Sequence, residues 1–375
     1  MINLKKILSY IFYSKKKLAK PEHKKILIYD KGGSSVILHT LPKNSAEVLC
    51  INGEEINLYI LFNVIFSKIF LIFQPKKIWK TYIETYINQI DPKIIITFVD
   101  NNSFFYTLKN KFPKIKFIAI QNGYRFFKDD IFGVLKHHTN KNNSLKCDYI
   151  FCFNKYVAKL YEKHISCKTI KIGSFRNNLT KIKKNRRKSL LFISSYGLNS
   201  SSIEKKIIPI ISNYCKKHNI KLLILGRGSN INEVKFYNSL NQNKDFQYIT
   251  NVWDGTNLHK SYTLLDQANT VISLNATLGY ESLGRGVKTI FINLNDRKLN
   301  CQSYLTFAWP LKSKNNGPFW LGVFNKKKII EVLNSVYKMR QEEWRKKIAP
   351  KVKDLMNYNY GNKIFLNKIN NLINK

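Results

Sequence analysis

The sequence predicts an α/β protein built from two doubly wound domains that face each other across a cleft. Short apolar, β-branched segments of strand length alternate with helical segments along the chain. One series of alternating segments precedes a basic, turn-rich stretch at residues 177–188, and a second series follows it. A length of 375 residues also exceeds what one typical core requires, which favours two domains.

The same patterns divide the chain into five parts. The first part is basic and amphipathic, and it is predicted either to lie on a membrane as a helix or to pack as a helix on the first domain. The last part begins with a helix at residues 326–341 and continues as a long basic helical tail at residues 342–375, a candidate to cross back to the first domain. The parts are residues 1–24, the first domain at 25–176, a linker at 177–188, the second domain at 189–325 and the C-terminal helices at 326–375.

Basic residues dominate the composition. Lys and Arg number 64 against 23 Asp and Glu, a formal net charge of +41 that could serve a nucleic acid, an anionic membrane or an anionic substrate. The charge is spread along the whole chain, and no RRM, KH, zinc-finger or helix-turn-helix signature is present. We therefore expect no nucleic-acid partner, and we expect the charge to attract the chain to anionic lipid.

No segment of the sequence has the character of a secretory signal or a membrane span. The most apolar run, residues 58–73, is short for a span and contains Asn63 and Lys68. The six cysteines are scattered without a CxxC pair, which favours reduced thiols. We expect a cytoplasmic protein, with peripheral attachment to the inner membrane as an extension of that hypothesis.

In the first domain, a strand at residues 25–29 ends in a glycine-rich turn that contains Gly32 and Gly33. The carboxyl end of such a strand faces the cleft of a doubly wound sheet, so we expect this turn to line the cleft. A second strand at residues 48–51 is followed by Glu54, which either points into the cleft or is simply solvated.

A continuous apolar strand at residues 93–99 delivers Asp100 and Asn101 to the same edge of the sheet. A carboxylate beside amides and apolar rings is a candidate general base or nucleophile. Asp and Asn also start helices, and residues 103–111 have a helical pattern, so Asp100 is equally a candidate N-cap.

The next strand, residues 116–120, ends in a tight polar turn made of Gln121, Asn122 and Gly123 and followed by Arg125. The Arg125 guanidinium is a candidate partner for a phosphate or a substrate carboxylate. Two successive strand ends therefore present polar clusters to one edge of the predicted sheet.

The remaining elements follow from the same alternation. Residues 128–145 are polar and are predicted to form an exposed loop, whose adjacent histidines point in different directions and make a metal site improbable. Further strands are predicted at residues 148–153, 169–172, 189–194, 221–225, 246–250, 270–274 and 289–293. Further helices are predicted at residues 58–73, 78–89, 155–164, 203–217, 232–240, 259–267, 280–286 and 326–341.

The stretch TVISLNATLGYESLGRGVKTIFIN forms a β-loop-α-β unit in the second domain. The free N–H groups at the start of its helix face the loop, so residues 275–278 are a candidate phosphate site to which Ser273, Asn275 and Thr277 add donors. Glu281, about one turn into the helix, is a candidate acceptor for ribose hydroxyls. The alternative is plain turn chemistry, since any β-α-β crossover needs a turn of small residues.

Several motifs together resemble bacterial glycosyltransferases of GT-B type that act in O-antigen and surface carbohydrate biosynthesis. The motifs are ILIYDKGGSS, ING-E, TFVDNNSFFY, IQNGYR, LDQANTVISLNATLGYESLGRGVKTIFIN and the late WP…GPFW, and they span about residues 25–325. The resemblance implies two facing Rossmann-like domains, with a nucleotide-sugar donor held mainly by the second and a glycan or lipid-linked glycan acceptor held by the first. The family is also similar to retaining Kdo transferases, which makes CMP-Kdo one donor to consider.

The resemblance also implies roles for individual residues. It implies that Asp100 is the catalytic carboxylate, and Glu54 is our second candidate. Contacts with the donor phosphate, ribose, and base or diphosphate are expected from Gly226, Arg227, Ser273, Asn275, Thr277, Leu278, Gly279 and Glu281. The acceptor or sugar pocket is expected to include Gly32, Gly33, Asn101, Gln121, Asn122, Gly123 and Arg125.

Neither a metal nor an organic cofactor is expected. Cationic groups and a helix N-terminus can stabilise a leaving phosphate without one, and the sequence has no DxD motif flanked by apolar residues to hold a divalent ion. Two other functions stay open at this point: a nucleotide-sugar 2-epimerase of the same architecture, and a basic nucleic-acid-binding protein.

Overall fold

Two six-stranded sheets of parallel strands form the frame of the molecule. Buried apolar clusters lie on both faces of each sheet, as expected where helices cover both sides. The predicted α/β fold with two doubly wound domains is therefore confirmed. The computed structural model describes residues 12–67, 74–126, 130–139, 144–183, 187–197, 201–228, 230–251, 258–274, 276–293, 307–311, 313–352 and 354–374.

The first half of the chain forms one sheet and a two-stranded ribbon. Its strands are β1 (Lys15–Lys17), β2 (Ile26–Tyr29), β3 (Ala46–Leu49), β4 (Glu55–Asn57), β5 (Ile94–Thr97), β6 (Lys116–Ile120), β7 (Lys146–Cys152) and β8 (Ser166–Lys171). The sheet has the order β3-β2-β5-β6-β7-β8, and β1 pairs with β4 in the ribbon. The helices are α1 (Ser34–Leu38), α2 (Leu58–Ser67), α3 (Pro75–Ile90), α4 (Ser103–Lys111), α5 (Ile131–Thr139) and α6 (Lys155–His164).

The second half repeats this plan. Its strands are β9 (Ser189–Ile193), β10 (Lys221–Leu225), β11 (Gln247–Ile249), β12 (Thr270–Ser273), β13 (Lys288–Ile292) and β14 (Trp320–Leu321), in the order β11-β10-β9-β12-β13-β14. The helices are α7 (Ser201–Lys217), α8 (Ile231–Leu240), α9 (Leu258–Gln267), α10 (Thr277–Gly284), α11 (Lys326–Lys338), α12 (Gln341–Val352) and α13 (Lys363–Ile373).

In each sheet the direction of winding reverses at one place. The chain steps outward from β2 to β3 and then returns to the other side of β2 with β5. It likewise steps outward from β9 through β10 and β11, and it returns to the other side of β9 with β12. Ligands of open α/β sheets bind outside the carboxyl ends of the strands at such a reversal. The turns after β2, β5, β9 and β12 are therefore the places where a ligand site is expected.

Helix α13 returns to the first sheet. Phe365 and Ile369 are buried in the apolar cluster on one face of that sheet. The Phe365 ring meets Phe151 and Phe175 edge-on, with ring centroids 5.1 and 4.9 Å apart. The basic tail therefore crosses back to the first domain, as the sequence analysis suggested.

The prediction of an exposed loop at residues 128–145 is wrong. Helix α5 occupies the middle of this stretch, and Ile131, Phe132 and Leu135 are buried in it. Leu135 lies four positions after Ile131 and three after Phe132, so the three side chains share one helical face, where they pack toward the first sheet. The polar residues around them concealed a short amphipathic pattern.

The predicted helical N-terminal segment does not extend far into the described residues: residues 12 and 13 are helical, but the helix has ended by residue 14. Residues 15–17 form strand β1, which pairs in parallel with β4. Lys17 binds Glu55 and Glu47 at 2.7 and 3.7 Å and so joins the ribbon to the first sheet. Residues 1–11 lie outside the described residues. Within the described ranges, every helix falls short of the length or the apolar character that a membrane crossing needs.

Candidate functional site

Asp100 follows β5 at the carboxyl edge of the first sheet and is completely buried. Its carboxylate accepts hydrogen bonds from the Arg125 guanidinium, the Tyr161 hydroxyl and the Asn122 N–H, the last at 3.3 Å. The Tyr106 hydroxyl also donates to the Asp100 carbonyl oxygen at 2.7 Å. Both carboxylate oxygens therefore have partners inside the protein, and neither is exposed to a substrate in this structure.

The alternative prediction, that Asp100 caps helix α4, is wrong. Asn102 occupies the N-cap, and its Oδ1 accepts the Phe104 N–H at 3.1 Å. Asp100 instead binds the turn after β6, so we interpret it as a positioning residue. A direct catalytic role for Asp100 stays a prediction, as does substrate contact by the neighbouring Asn101, which is exposed.

Arg125 is buried between two carboxylates. Besides Asp100, it lies 3.6 Å from Asp130. Burial by itself would lower the pKa of the guanidinium, but the Asp100 carboxylate outweighs this effect and raises the pKa well above its usual range. Arg125 is only 6% exposed, so its charge is directed at the protein's own carboxylates. Its predicted contact with a phosphate or carboxylate of a substrate would require those bonds to rearrange.

The Gln121 side chain spans two strand ends. Its Nε2 donates to the Gly123 carbonyl at 2.8 Å, and its Oε1 accepts the Phe153 N–H at 2.9 Å. Because both ends of the amide are occupied, Gln121 shapes the turn after β6. Asn122 and Gly123 are partly exposed at the tip of this turn, and they are the members of the motif that remain open to a ligand.

The turns after β2 and β3 meet at Asp30, a buried residue that the sequence analysis did not single out. Asp30 Oδ1 accepts the Gly32 N–H at 2.8 Å, and the Asn52 side chain donates to both carboxylate oxygens at 3.2 and 3.1 Å. Burial raises the pKa of Asp30 and the nearby Glu54 carboxylate raises it further, while the Gly32 N–H opposes them. The signal that could have identified Asp30 is its position directly after the first strand.

Glu54 and the glycine-rich turn occupy the same edge. The Glu54 side chain is exposed, and its carbonyl oxygen accepts the Lys15 N–H at 3.2 Å. Gly33 has a φ of +76°, and a Cβ there would lie 2.4 Å from the Phe98 ring, so only glycine fits. The structure thus brings Gly32, Gly33 and Glu54 together around Asp30, and Glu54 has the accessible carboxylate.

Helix α10 begins where the second sheet reverses. Ala276 is its N-cap and has no side-chain oxygen to accept hydrogen bonds from the first N–H groups. These groups point along the helix axis toward the turn after β12, a geometry that suits an anion. Thr277 Oγ1 accepts the Tyr124 N–H at 3.0 Å. The predicted Asn275 lies outside the described residues.

Three other residues of the predicted phosphate loop are packed inside the unit. Ser273 is completely buried, and its Oγ accepts the Ala276 N–H at 3.4 Å. A Cβ on Gly279 would lie 2.4 Å from the Ser273 Cβ, so glycine permits α10 to approach β12 closely. Leu278 packs on an apolar cluster of the second sheet. These residues shape the loop, and their contact with a phosphate stays a prediction.

Glu281 is buried at the junction between the two halves of the chain. Its Oε1 accepts the Ser174 hydroxyl, and its Oε2 accepts the Tyr262 hydroxyl at 3.2 Å. Burial raises the pKa of Glu281, and the bond from Ser174 and the charge of Arg176 oppose the rise. A ribose could reach this 4% exposed residue only if those partners gave way, so its predicted role remains untested.

Gly226 and Arg227 follow β10. A Cβ on Gly226 would lie 2.2 Å from the Tyr248 hydroxyl, so the glycine allows that ring to close over the strand end. The Arg227 N–H donates to Glu233 Oε1 at 2.9 Å, and its exposed guanidinium donates to the Tyr196 carbonyl at 2.8 Å. Arg227 therefore presents an accessible positive charge at this edge, as binding of a diphosphate would require.

Two buried carboxylates that the sequence analysis missed organise the same edge. Glu204 in α7 accepts the Ser195 N–H at 2.7 Å and the Tyr237 hydroxyl at 3.0 Å. Glu233 in α8 accepts the Ser194 hydroxyl at 2.6 Å. Burial raises the pKa of Glu204 to about 7. Nothing in the sequence distinguishes these residues from exposed helical glutamates, because their hydrogen-bond partners come from other elements.

The two sheets are joined through Tyr124. Its ring stacks on Tyr280 with centroids 3.5 Å apart and planes 6° apart, inside the apolar cluster of the second sheet. Together with the bond from the Tyr124 N–H to Thr277, this stacking attaches the turn after β6 to the first turn of α10. The IQNGYR motif contained this residue, but the sequence analysis assigned chemistry only to its polar members.

Metal ligands are not gathered in any described part of the chain. Among these residues, no three His, Cys, Asp or Glu side chains are placed to hold an ion together. The carboxylates of Asp30, Asp100, Glu204 and Glu281 are instead bonded to protein donors. A metal-independent reaction stays a prediction.

Comparisons with solved structures show where this architecture recurs. The UDP-GlcNAc 2-epimerase of Methanocaldococcus jannaschii, solved with UDP-GlcNAc and UDP, is 13% identical with a TM-score of 0.54, and the match covers 94% of this chain and 100% of that one. S. aureus MnaA, solved with UDP, is 12% identical with a TM-score of 0.54, covering 94% and 98%. The wall teichoic acid polymerase TagF, soaked with CDPG, is 12% identical with a TM-score of 0.51, covering 93% and 88%.

At such low identity these structures establish the shared two-domain, Rossmann-like fold, which is found in GT-B glycosyltransferases and in epimerases. No curated protein matches the sequence. A family model described as "putative O-antigen biosynthesis protein" matches residues 118–210 and 201–373, which is more than half of the chain. The match includes the IQNGYR turn, the whole second sheet and helix α13. The chain therefore belongs to this family of O-antigen biosynthesis proteins.

Proposed function

We propose that this protein is a glycosyltransferase that moves a sugar from a nucleotide-activated donor to a growing surface glycan. The observation that carries the proposal is the contact between Tyr124 and the first turn of α10. It brings the edge of the first sheet that we assign to the glycan acceptor against α10, the helix of the second domain that we assign to the nucleotide-sugar donor. Transfer between two bound substrates needs such a meeting of two edges, and the O-antigen family supports a role in glycan assembly.

The chemistry assigns different tasks to the two edges. An acceptor hydroxyl oxygen forms a bond to the anomeric carbon of the donor sugar, the bond from that carbon to the phosphate oxygen breaks, and the hydroxyl proton passes to a base. Negative charge then develops on the leaving phosphate. The first N–H groups of α10, for which the N-cap Ala276 provides no side-chain acceptor, and the exposed Arg227 are suited to stabilise that charge.

The first edge supplies the candidate base. Glu54 has an exposed carboxylate beside the cleft-facing turn, whereas Asp100 has both oxygens occupied. We assign proton acceptance to Glu54, and we assign to Asp100 the task of holding Arg125, next to Tyr124, in place. The acceptor in this proposal is a glycan or a lipid-linked glycan that reaches Asn122, Gly123 and the glycine-rich turn.

The donor in this proposal carries a pyrimidine nucleotide. The relatives of known structure were solved with UDP-GlcNAc, UDP or CDPG, which supports a pyrimidine nucleotide. CMP-Kdo is a specific candidate because a strongly basic chain suits an acidic sugar. Calorimetric titration of the full chain with CMP, UDP and GDP tests this point. Measurable binding of one pyrimidine nucleotide supports the proposal, and tighter binding of GDP than of the other two would contradict it.

The replacement Glu54→Gln tests the assignment of the base. We expect kcat to fall by about 10²- to 10⁴-fold, the usual contribution of a general base, with nucleotide affinity unchanged. Glu331→Gln removes another exposed carboxylate, on α11, and should leave kcat as it was. Transfer of a radiolabelled sugar measures both variants, and full turnover by the Glu54 variant would remove this residue from the mechanism.

A nucleotide-sugar 2-epimerase is the second candidate. Epimerase structures align with nearly the whole chain, and one of them is covered completely. An epimerase would convert UDP-GlcNAc without any acceptor, so nuclear magnetic resonance of this donor with the protein alone separates the two functions. Appearance of a second sugar epimer would replace the transferase proposal.

A further inference from the structure

We infer that the ribbon and helix α2 of the first domain form a docking surface for anionic lipid. The lipid-docking surface is defined by two sets of exposed residues, aromatic and basic. Its aromatic members are Phe12, Tyr13, Phe62 and Phe66, which are 71%, 88%, 47% and 79% exposed, and its basic members are Lys15 and Lys16 of β1.

Helix α2 is apolar on both of its sides. Ile60, Leu61 and Val64 are buried against the first domain. Phe62 and Phe66 lie four positions apart on the opposite side, with ring centroids 6.2 Å apart. A surface helix of a globular protein normally keeps that side polar. Two adjacent exposed aromatic rings therefore indicate a surface that binds a partner in the functional state of the protein.

The basic members lie next to this helix. Strand β1 pairs with β4, which leads directly into α2. Asn57, the last residue of β4, donates a side-chain hydrogen bond to the carbonyl of Ala19, shortly after β1, at 2.9 Å. Two consecutive exposed lysines, Lys15 and Lys16, lie beside exposed aromatic rings and match the two components of an anionic membrane surface, whereas Lys17 is already paired with Glu55 and Glu47. The rings enter the boundary between headgroups and acyl chains, and the lysines bind the charged headgroups.

Charge also decides between lipid and a second copy of the chain. A symmetric contact between two copies would bring Lys15 and Lys16 of each copy together, in a chain whose net charge is already +41. That repulsion disfavours self-association through this surface and favours an anionic partner. Anionic lipid also accounts for the aromatic rings, because it provides an apolar layer below the charge.

The surface adjoins the candidate acceptor edge. The Lys15 N–H donates to the Glu54 carbonyl at 3.2 Å, and Glu54 belongs to the group of residues around Asp30. Docking would therefore hold this edge close to the bilayer, where a lipid-linked glycan presents its sugar. This last step rests on the proposed function, but lipid binding by the surface does not.

Vesicle sedimentation tests the inference with the full chain and no sugar substrate. We expect binding to phosphatidylcholine vesicles only when they contain phosphatidylglycerol, and we expect it to weaken with added salt. The double replacement Phe62→Ser and Phe66→Ser should lower the affinity at least about tenfold, because two aromatic rings no longer enter the lipid. Lys15→Glu with Lys16→Glu should lower it by a similar factor.

Matched replacements elsewhere serve as controls. Ile231→Ser removes a 66% exposed apolar residue from α8, and Lys205→Glu with Lys206→Glu reverses two exposed charges on α7. These variants should bind vesicles nearly as the unchanged protein does, and all variants should unfold at the same urea concentration. Equal binding by the Phe62 and Phe66 variant, an equal loss in the controls, or a dimer that this variant dissociates would each overturn the inference. None of these outcomes bears on the sugar-transfer assay.

Discussion

Asp100 at the first sheet edge and Glu204 at the second are buried carboxylates that the protein holds in different ways. At the first edge, Asp100 is bonded to the guanidinium of Arg125 and to a tyrosine hydroxyl. At the second edge, Glu204 is bonded to the Ser195 N–H and to a tyrosine hydroxyl, both of them neutral donors. The first arrangement is an ion pair, and the second relies on dipoles to hold a charge.

This difference determines how each carboxylate responds to mutation and to a change of pH. In the ion pair, removal of either partner leaves an uncompensated charge in the protein interior, so the pair acts as a rigid support. A carboxylate held by neutral donors can accept a proton instead, and the raised pKa of Glu204, about 7, makes this possible near neutral pH. We therefore expect the Asp100 pair to be sensitive to mutation and the Glu204 carboxylate to be sensitive to pH.

The replacement Asp100→Asn should have the largest effect on this comparison. It removes the nearer carboxylate of the buried Arg125 and leaves Asp130, 3.6 Å away, as its acidic partner, which we expect to lower the free energy of unfolding by about 3 kcal/mol. Urea unfolding followed by circular dichroism measures the change. If the loss comes from the Arg125 charge, the double variant with Arg125→Met should recover part of it.

A matched control removes an ion pair at the surface. Asp354→Asn breaks the bond from Lys155 to Asp354, two residues whose side chains are about half exposed. This replacement should leave the unfolding curve nearly unchanged. If Asp100→Asn were as mild as this control, the first edge would not depend on its ion pair.

The replacement Glu204→Gln sharpens the comparison through pH. Folding raises the pKa of Glu204 from 4.5 to about 7, so the folded state binds a proton more readily than the unfolded state. The stability that this contributes is complete below pH 4.5 and is lost as the pH rises through 7, by up to about 3 kcal/mol. The variant should lose this part of the pH dependence, measured as urea midpoints between acidic and mildly alkaline pH.

Exposed glutamates provide the control for that experiment. Glu331→Gln should unfold with the same pH dependence as the unchanged protein. A Glu204 variant that retained the full pH dependence would show that another group titrates, and Asp30 and Glu281, whose pKa values burial also raises, would be the next to replace.

The smallest predicted effect concerns the contact that joins the two edges. Thr277→Val keeps the shape of the side chain but removes the oxygen that accepts the Tyr124 N–H. We expect the free energy of unfolding to fall by about 1–3 kcal/mol, since a partly buried donor loses its partner. Thr277→Ser retains the hydroxyl and should stay close to the unchanged protein. Indistinguishable urea midpoints for the two variants would mean that stacking on Tyr280 alone joins the edges.

Much of the fold was readable because buried parallel strands are continuous apolar runs. The strands at residues 116–120 and 221–225 and the helices at residues 103–111 and 155–164 agree with the prediction at both ends. Gln121 and Gly226 directly follow the two strands, and Pro113 stands one residue after the C-cap of the first helix. Helix α5 was missed because its buried face is short and lies among histidines and asparagines.

The site was predictable in position but not in pairing. Polar residues directly after strands indicated which edge matters, because the carboxyl ends of parallel strands share one side of the sheet. The sequence could not indicate that Arg125 turns inward to Asp100, since the pairing depends on side-chain directions from two separate turns. It also could not reveal Glu204, whose burial is decided by packing against α8 and the end of β9.

Helix α13 has a consequence for how the molecule is made. The strands of the first sheet leave the ribosome long before this helix, because the entire second domain is translated between them. Until then the groove that receives Phe365 and Ile369 stays open to water. The nascent first domain therefore exposes apolar surface until α13 has been synthesised. Such exposed apolar surface favours binding by chaperones during translation.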